Sequence, residues 1–348
     1  MKLFEILKFE FKRAFVDFKS FLKQNKVNAD SSIRFYNWWN DSHGIWLRDF
    51  VIQHDILPKN KIMNFCSVYG HRNVLYYIKE GSLIFFNLEN LHDDRMEYAD
   101  HLLFSRYRTD KFQEVKVKSK KCDTLSKPML VDLALGFDYF EDVSYLRFPL
   151  WLLYMFPADS DEKAIRKRCE QLRYPDLKDK SKFASLVARY DWNGTRTEII
   201  DALSSIGQVN CPGKVRHNDD TLKSIYHDDK ELYLRQFFFN ICPENSNSYG
   251  YVTEKIFEAI SAGCIPIYWG SYNNPEPGIL NKDAIFFWNM DGDNSAVVKQ
   301  IEELYSHPAM LEEYIRQPRL LPNAEDSIVN MIYELEVKLR RAVQNAYK

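Results

Sequence analysis

Phe239-Asn240-Ile241-Cys242-Pro243-Glu244-Asn245-Ser246, then Tyr249-Gly250-Tyr251-Val252-Thr253-Glu254-Lys255, then Gly263-Cys264-Ile265-Pro266-Ile267-Tyr268-Trp269-Gly270 together decide how this chain folds. In order they read as a strand, a polar loop, a helix and a second strand, which is a βαβ unit. Ile256, Phe257 and Ile260 recur at helical spacing and give the helix its buried stripe. Gly263 stands where a left-handed residue would stop it. Thr253 reads as the N-cap, so Glu254 and Lys255 fall in the first turn. Free N–H groups and the helix dipole favour a phosphate at that end, and a lysine there opposes the dipole unless an anion joins it. Glu254 offers two acceptor oxygens, enough for a pair of vicinal hydroxyls such as those of a ribose. The plain alternative is a crossover helix carrying a solvated Glu-Lys pair, and no GxGxxG occurs anywhere to decide between the two.

Around this unit the same alternation recurs. Short aromatic or β-branched runs at 33–38, 62–68, 83–86 and 133–136 read as strands of a first half. The second half adds strands at 183–187, 237–242, 265–269 and 284–288, with helices at 161–172, 197–205 and 253–262. A breaker-free helical pattern closes the chain at 327–347. Phe156-Pro157-Ala158-Asp159-Ser160 reads as the hinge between the halves. Residues 1–24 are amphipathic, with Phe4, Leu7, Phe11, Phe15, Phe18 and Leu22 on one stripe. That helix either docks on the first domain or lies on a membrane surface through Lys2, Lys8, Lys12, Arg13, Lys19 and Lys23; Glu5, Glu10 and Asp17 dilute its charge. The resulting division is 1–30 (helix and linker), 31–157, 158–320 and a C-terminal helix at 321–348. Parallel sheets are expected in both α/β halves.

Composition narrows the function. A chain of 348 residues with 45% hydrophobic residues has material for two cores. Its formal net charge of −2 removes a general polyanion-binding surface, so nucleic acid is not an expected partner. The 24 Phe, 21 Tyr and 7 Trp supply thick cores and, as an alternative use, stacking faces for sugars or bases. Six cysteines without CxxC spacing read as buried free thiols in a reduced compartment. No apolar run approaches the ~18 residues of a membrane span, and charges interrupt the N-terminal stripe. A cytoplasmic protein is therefore expected, with peripheral contact at the inner membrane through residues 1–24 as the second possibility.

The βαβ segment resembles the donor-binding signature of the bacterial α1,3/4-fucosyltransferases, glycosyltransferase family 10, in its Glu-Asn-Ser, Tyr-Val-Thr-Glu-Lys-Ile and Ile-Pro-Ile-Tyr-Trp-Gly stretches. It departs at Pro243, where the family usually has Phe. The likeness runs through most of residues 31–320, including Asn37-Trp38-Trp39, Ser67-Val68-Tyr69-Gly70, Tyr145-Leu146-Arg147-Phe148-Pro149 and Phe183-Ala184-Ser185-Leu186-Val187. The resemblance implies a GT-B fold, two Rossmann-like α/β domains with the active site in the cleft between them. It implies an inverting enzyme that moves L-fucose from GDP-fucose to the 3-OH of GlcNAc or Glc in a Galβ1,4-type acceptor. The product would be an α1,3-fucoside of a Lewis-type glycan on a bacterial surface polysaccharide.

Carried over residue by residue, Arg196 and Lys255 would clamp the pyrophosphate, Glu254 would hold the ribose hydroxyls, and Asn245 and Tyr251 would line the guanosine and phosphate region. Read from its residues alone, Arg196 is a surface arginine at the start of a helix. Glu89, in Leu83-Ile84-Phe85-Phe86-Asn87-Leu88-Glu89-Asn90, looks like the family's Gly-Glu-Asn base, with Leu88 in place of the glycine. An insertion around 104–127 carries Arg106, Arg108, Lys111, Lys116, Lys118, Lys120 and Lys121, and reads as a solvated loop or an acceptor-facing one. No resident cofactor is implied. An Arg and a Lys can offset the leaving charge, no ligand set calls for a metal, and a divalent ion would at most stimulate.

Competing signals are weaker. Asp159-Ser160-Asp161 and Asp291-Gly292-Asp293 imitate a metal-binding DxD, but Asp-Gly-Asp is also a turn sequence and too little chain follows it for a GT-A acceptor half. The doublets His54-Asp55, His92-Asp93 and His227-Asp228 are expected by chance among 8 His and 49 acids. No GxSxG supports a nucleophilic hydrolase. Two other functions stay open: a GT-B transferase using another nucleotide sugar, and a non-catalytic glycan-binding protein of the same fold.

Overall fold

The computed structural model describes residues 33–36, 41–56, 83–87, 133–137, 139, 145–290 and 292–346. The expected helix at 1–24, the strand at 62–68, the base candidate Glu89 and the insertion at 104–127 lie outside them. In chain order the elements are β1 Ile33–Tyr36, α1 Asp41–Gln53, β2 Leu83–Asn87, β3 Leu133–Gly136, β4 Tyr145–Arg147, α2 Trp151–Met155 and α3 Glu162–Arg173. They continue with β5 Lys182–Ser185, α4 Thr195–Leu203, β6 Val209–Asn210, α5 Thr221–Ser224, α6 Lys230–Leu234 and β7 Phe237–Ile241. Then come α7 Glu254–Ser261, β8 Ile265–Tyr268, β9 Phe286–Phe287, α8 Ser295–Ser306, α9 Pro308–Ile315 and α10 Ala324–Ala346.

Two compact units result. One comprises residues up to Pro149 with Pro157–Asp159 and Asn330–Lys348; the other comprises Leu150–Phe156 and Ser160–Val329. In the first, four parallel strands run in the order β1-β2-β3-β4, with Phe85 opposite Leu133 and Leu135 opposite Leu146. Leu47, Phe50 and Val51 of α1 are buried there, and Trp46 stacks on Phe50 at 5.2 Å. The far part of α10 joins the same unit: His54 Nδ1 lies 3.0 Å from Glu336, and Arg340 donates to the Asp55 carbonyl at 3.2 Å.

The second unit carries five parallel strands in the order β6-β5-β7-β8-β9. Phe183, Phe239, Ile265, Ile267, Phe286 and Trp288 form its core with Ile199, Leu203 and Ile301 from the helices. The burial of every residue of β8 explains why Ile265-Pro266-Ile267-Tyr268 is an unbroken apolar run: both faces of a parallel sheet are covered. On α7, Ile256, Phe257, Ala259 and Ile260 are buried, as the stripe requires. Phe257 stacks on Trp151 of α2 at 3.9 Å and 10°, and Trp151 Nε1 donates to Glu276 Oε1 at 2.9 Å. Gly263, at φ +74, ends the helix as expected.

Several element bounds differ from the sequence pattern for local reasons. Of the first expected strand, Ile33–Tyr36 is β1, and residues 37 and 38 lie outside the described residues. The run at 284–288 keeps only Phe286–Phe287 as strand, because Asn281 Oδ1 accepts from Asp283 N (3.2 Å) and winds Lys282–Ala284 into a 3-10 turn. α4 starts at Thr195, two residues before the pattern shows it, and α10 starts at Ala324. Asp161, from one DxD, accepts from Ala164 N at 2.7 Å and caps α3. Asp293, from the other, accepts from Ser295 N and Oγ at 2.8 and 3.0 Å, so it builds a turn into α8. Cys169, Cys211, Cys242 and Cys264 are free and buried.

Candidate active site

Because the strands of the second sheet are parallel, the chain leaves β5, β7 and β8 on one side, where α/β sheets assemble ligand sites. Three segments meet there: the loop from Leu186 into α4, the loop from Cys242 into α7, and the turn after Tyr268.

The first brings in Arg196. Asp191 accepts from the backbone N–H of Arg196 at 3.1 Å and of Thr197 at 2.9 Å, so its carboxylate satisfies the open end of α4. The Arg196 side chain turns inward and is only 4% exposed, which overturns the reading of a surface residue. Its Nη1 donates to the Tyr190 carbonyl at 2.8 Å; its Nη2 donates to the Pro243 carbonyl at 3.1 Å and to Asn245 Oδ1 at 3.0 Å. One guanidinium fork thus ties the loop after β5 to the loop after β7. Burial lowers its pKa, opposed by the negative charge of Asp191, Glu244 and Glu254, and an arginine remains charged regardless.

The second segment holds the Glu-Lys pair, neither member of which is solvated as a bare surface pair. Lys255 Nζ donates to Glu244 Oε2 at 3.1 Å and to Thr253 Oγ1 at 2.7 Å, with Glu254 Oε1 farther off at 3.6 Å. Burial disfavours the ammonium, yet Glu244, Glu254 and Tyr251 outweigh it and raise the Lys255 pKa. Burial likewise disfavours the Glu254 carboxylate, and Lys255 and Lys230 outweigh it, so that its pKa is lowered. Thr253 sits at the N-cap of α7 but its side chain makes no cap bond; its hydroxyl donates instead to Glu244 at 2.7 Å. That corrects the simple capping picture. Tyr251 is 7% exposed and within electrostatic reach of both Arg196 and Lys255.

The third segment is strained. Ser271, Tyr272 and Asn273 hold φ of 48°, 50° and 52°, three consecutive left-handed residues, of which none is glycine. Such residues cost roughly 1–2 kcal/mol each and persist only where their surroundings fix them. Here Tyr272 N donates to Asn247 Oδ1 at 2.6 Å, Ser271 Oγ accepts from Gly250 N at 3.1 Å, and Asn273 Nδ2 donates to the Trp288 carbonyl at 2.9 Å. Beneath the turn, the Tyr268 hydroxyl is fully buried without a hydrogen-bond partner among the described residues.

Arg196, Asn245, Tyr251, Glu254 and Lys255, all named from the sequence, therefore occupy one edge of one sheet. Glu244, Asp191 and the Ser271–Asn273 turn were not singled out. Glu244 lies inside the decisive stretch, but an acid after Pro243 in a polar loop gives no sign of burial.

Two family models cover most of the chain. Residues 177–319 match glycosyltransferase family 10 (fucosyltransferase), C-terminal part, and residues 33–154 match the N-terminal domain of the α-(1,3)-fucosyltransferase FucT. The chain belongs to glycosyltransferase family 10. The α-(1,3)-fucosyltransferase FucT of Helicobacter pylori is 36% identical over 168 residues, 41% of this chain and 34% of that protein. α-(1,3)-Fucosyltransferase B of Drosophila melanogaster is 32% identical over 101 residues, 29% of this chain and 22% of that one. Human GDP-fucose protein O-fucosyltransferase 3 is 26% identical over 191 residues, 53% of this chain and 34% of that one. The chain thus spans about a third or less of the length of these relatives. A solved α1,3-fucosyltransferase with GDP-fucose is 20% identical, with a TM-score of 0.51 over 93% of this chain and 97% of that one. The fold is accordingly the GT-B class, α/β with two parallel sheets.

Proposed function

We propose that this family 10 chain transfers L-fucose from GDP-fucose to the 3-OH of GlcNAc or Glc in a Galβ1,4-type acceptor. The observation that carries the reading is the edge of the second sheet. A buried Arg196 and a half-buried Lys255 stand there among Glu254, Asn245 and Tyr251, on a chain whose family is fucosyltransferase. In the reaction, Glu89 takes the proton of the acceptor hydroxyl as that oxygen attacks the anomeric carbon. The bond from that carbon to the β-phosphate oxygen breaks, and GDP leaves with the electron pair. A β-linked donor so gives an α-fucoside. Arg196 and Lys255 offset the charge developing on the pyrophosphate, Glu254 receives the ribose hydroxyls, and Asn245 and Tyr251 line the nucleotide. With two organic cations in that role, no step requires a metal. The enzyme would work at the cytoplasmic face of the inner membrane, on a Lewis-type surface glycan.

The test is fucose transfer from GDP-fucose to N-acetyllactosamine and lactose in EDTA. Transfer is expected to both. A thermal shift with GDP-mannose or a UDP-sugar that exceeds the one with GDP-fucose would refute the donor. Binding of GDP-fucose without turnover on any glycan would favour a glycan-binding protein. The likeness to protein O-fucosyltransferases makes a folded protein acceptor the necessary comparison in the same assay.

A further inference from the structure

Glu244 is the most deeply buried charged group beside the site, 1% exposed, and the proposed mechanism gives it no part. Its backbone N–H donates to the Trp269 carbonyl at 2.8 Å, which seats the residue against the end of β8. Oε1 accepts from Thr253 N at 2.7 Å; Oε2 accepts from Thr253 Oγ1 at 2.7 Å and from Lys255 Nζ at 3.1 Å. Lys255 also donates to Thr253 Oγ1 at 2.7 Å, so the three side chains close a ring. Two of the three ammonium hydrogens are fixed in direction by that ring. Glu254 Oε1, at 3.6 Å, is beyond hydrogen-bond range, which leaves the third donor for a ligand.

The surrounding chain is shaped around this carboxylate. A Cβ on Gly270 would lie 2.8 Å from both Cβ and Cγ of Glu244, and Gly270 holds φ +140. Only glycine leaves the space that Glu244 fills, which gives the last residue of Ile-Pro-Ile-Tyr-Trp-Gly a physical reason.

We propose that Glu244 is a positioning residue for the sugar-nucleotide diphosphate: with Thr253 it holds and aims the Lys255 ammonium. The proposal rests on the donor-site reading of Lys255. Glu244 touches no substrate in this scheme and acts only through the lysine. A glutamine at 244 keeps the shape and an acceptor for Thr253 N but removes one of the charges that favour the Lys255 ammonium, leaving Glu254 and Tyr251.

The experiment uses the full chain and compares wild type, Glu244→Gln, Glu244→Asp, Lys255→Gln and the 244/255 double variant. It measures GDP-fucose KM and kcat from pH 6 to 10, with GDP binding by calorimetry. Glu244→Gln should lose about 10- to 100-fold in kcat/KM, the range of one charge-assisted hydrogen bond. Its alkaline limb should also set in at lower pH than in wild type, because burial of Lys255 is then opposed by Glu254 and Tyr251 alone. In the Lys255→Gln background, adding Glu244→Gln should change kcat/KM less than about threefold, because the group it acts through is gone. Wild-type kinetics in Glu244→Gln overturn the proposal, and so does a double variant whose losses multiply. If Glu244→Gln does not fold, Glu244→Asp carries the test: its shorter carboxylate must show the kinetic loss without the shift of the alkaline limb, and full activity would overturn the proposal. A wild type that binds neither GDP nor GDP-fucose overturns the donor reading instead, and that result is distinct from a silent Glu244→Gln.

Discussion

Asp219→Asn is the sharpest test of how the donor-side sheet is held. Asp219 is 8% exposed and receives four hydrogen bonds: from Asn210 Nδ2 at 2.9 Å, Tyr233 OH at 2.8 Å, Thr221 N at 2.8 Å and Thr221 Oγ1 at 2.6 Å. Burial alone would push this carboxyl up; the donors outweigh it and bring it from 3.8 down to about 2. The difference of about 1.8, at ~1.36 kcal/mol each, is roughly 2.4 kcal/mol of stability at pH 7. Asparagine keeps one acceptor oxygen but points an amide NH2 at two other donors, so the full cost should be about 2–4 kcal/mol. Since the folded value lies below the unfolded one, the contribution is complete above about pH 5 and fades as pH falls through about 2. Near pH 3 roughly half remains. Urea unfolding followed by tryptophan fluorescence suits the measurement, because Trp269 and Trp288 are buried in this unit. A loss under about 0.5 kcal/mol at pH 7, or a gap between variant and wild type equally large at pH 3, would refute the reasoning. The cluster matters for the site because Ser185, which ends β5, donates to the Asn210 carbonyl at 3.0 Å. The loop that carries Arg196 departs from that strand end.

Arg196→Lys keeps the charge but cannot span Tyr190, Pro243 and Asn245, so GDP-fucose affinity should fall about 10- to 100-fold in calorimetry while the fold survives. Trp151→Ala removes a fully buried ring stacked on Phe257 and its hydrogen bond to Glu276, and should cost about 3–5 kcal/mol in urea unfolding. Glu89→Gln should lower transfer by about 10²- to 10⁴-fold with GDP-fucose binding intact; undiminished transfer would move the base to Asp93 or Asp94.

Periodicity made the second half legible. Buried parallel strands announce themselves as continuous apolar runs, and the Ile256, Phe257, Ile260 stripe placed α7 within one residue at each end. Element starts fixed by polar side chains were less legible. α4 begins where Asp191 captures two amides, and Lys282–Ala284 turns because Asn281 captures another. Nothing in hydrophobic spacing encodes such bonds. The site residues were found through the motif, since Arg196 alone reads as an ordinary helical arginine. Its burial depends on acceptors at Tyr190, Pro243 and Asn245, as many as 49 residues away in sequence. Glu244 was missed for the same reason: its partners come from α7 and its seat from β8.

The lysine at the start of α7 shows how that long-range information settles a local conflict. A cation in the first turn opposes the helix dipole, and a buried one also loses its hydration. Read locally, these costs call for an anionic ligand. The folded chain supplies an anion of its own. Glu244 accepts the Thr253 amide at the helix start and the Lys255 ammonium together. With Arg196 and Glu254 counted, the four groups sum to zero formal charge. Attraction for a diphosphate cannot then come from an excess of positive charge. It must come from direction, with Glu244 and Thr253 fixing two of the Lys255 hydrogens and the remaining N–H donor left for the ligand. Such a site is preorganised, and gains from closeness what it gives up in net charge. Added salt should therefore weaken donor binding far less than it would for a loose basic patch, because buried pairs are little screened. A GDP affinity that falls tenfold between 50 and 500 mM salt would contradict that arrangement.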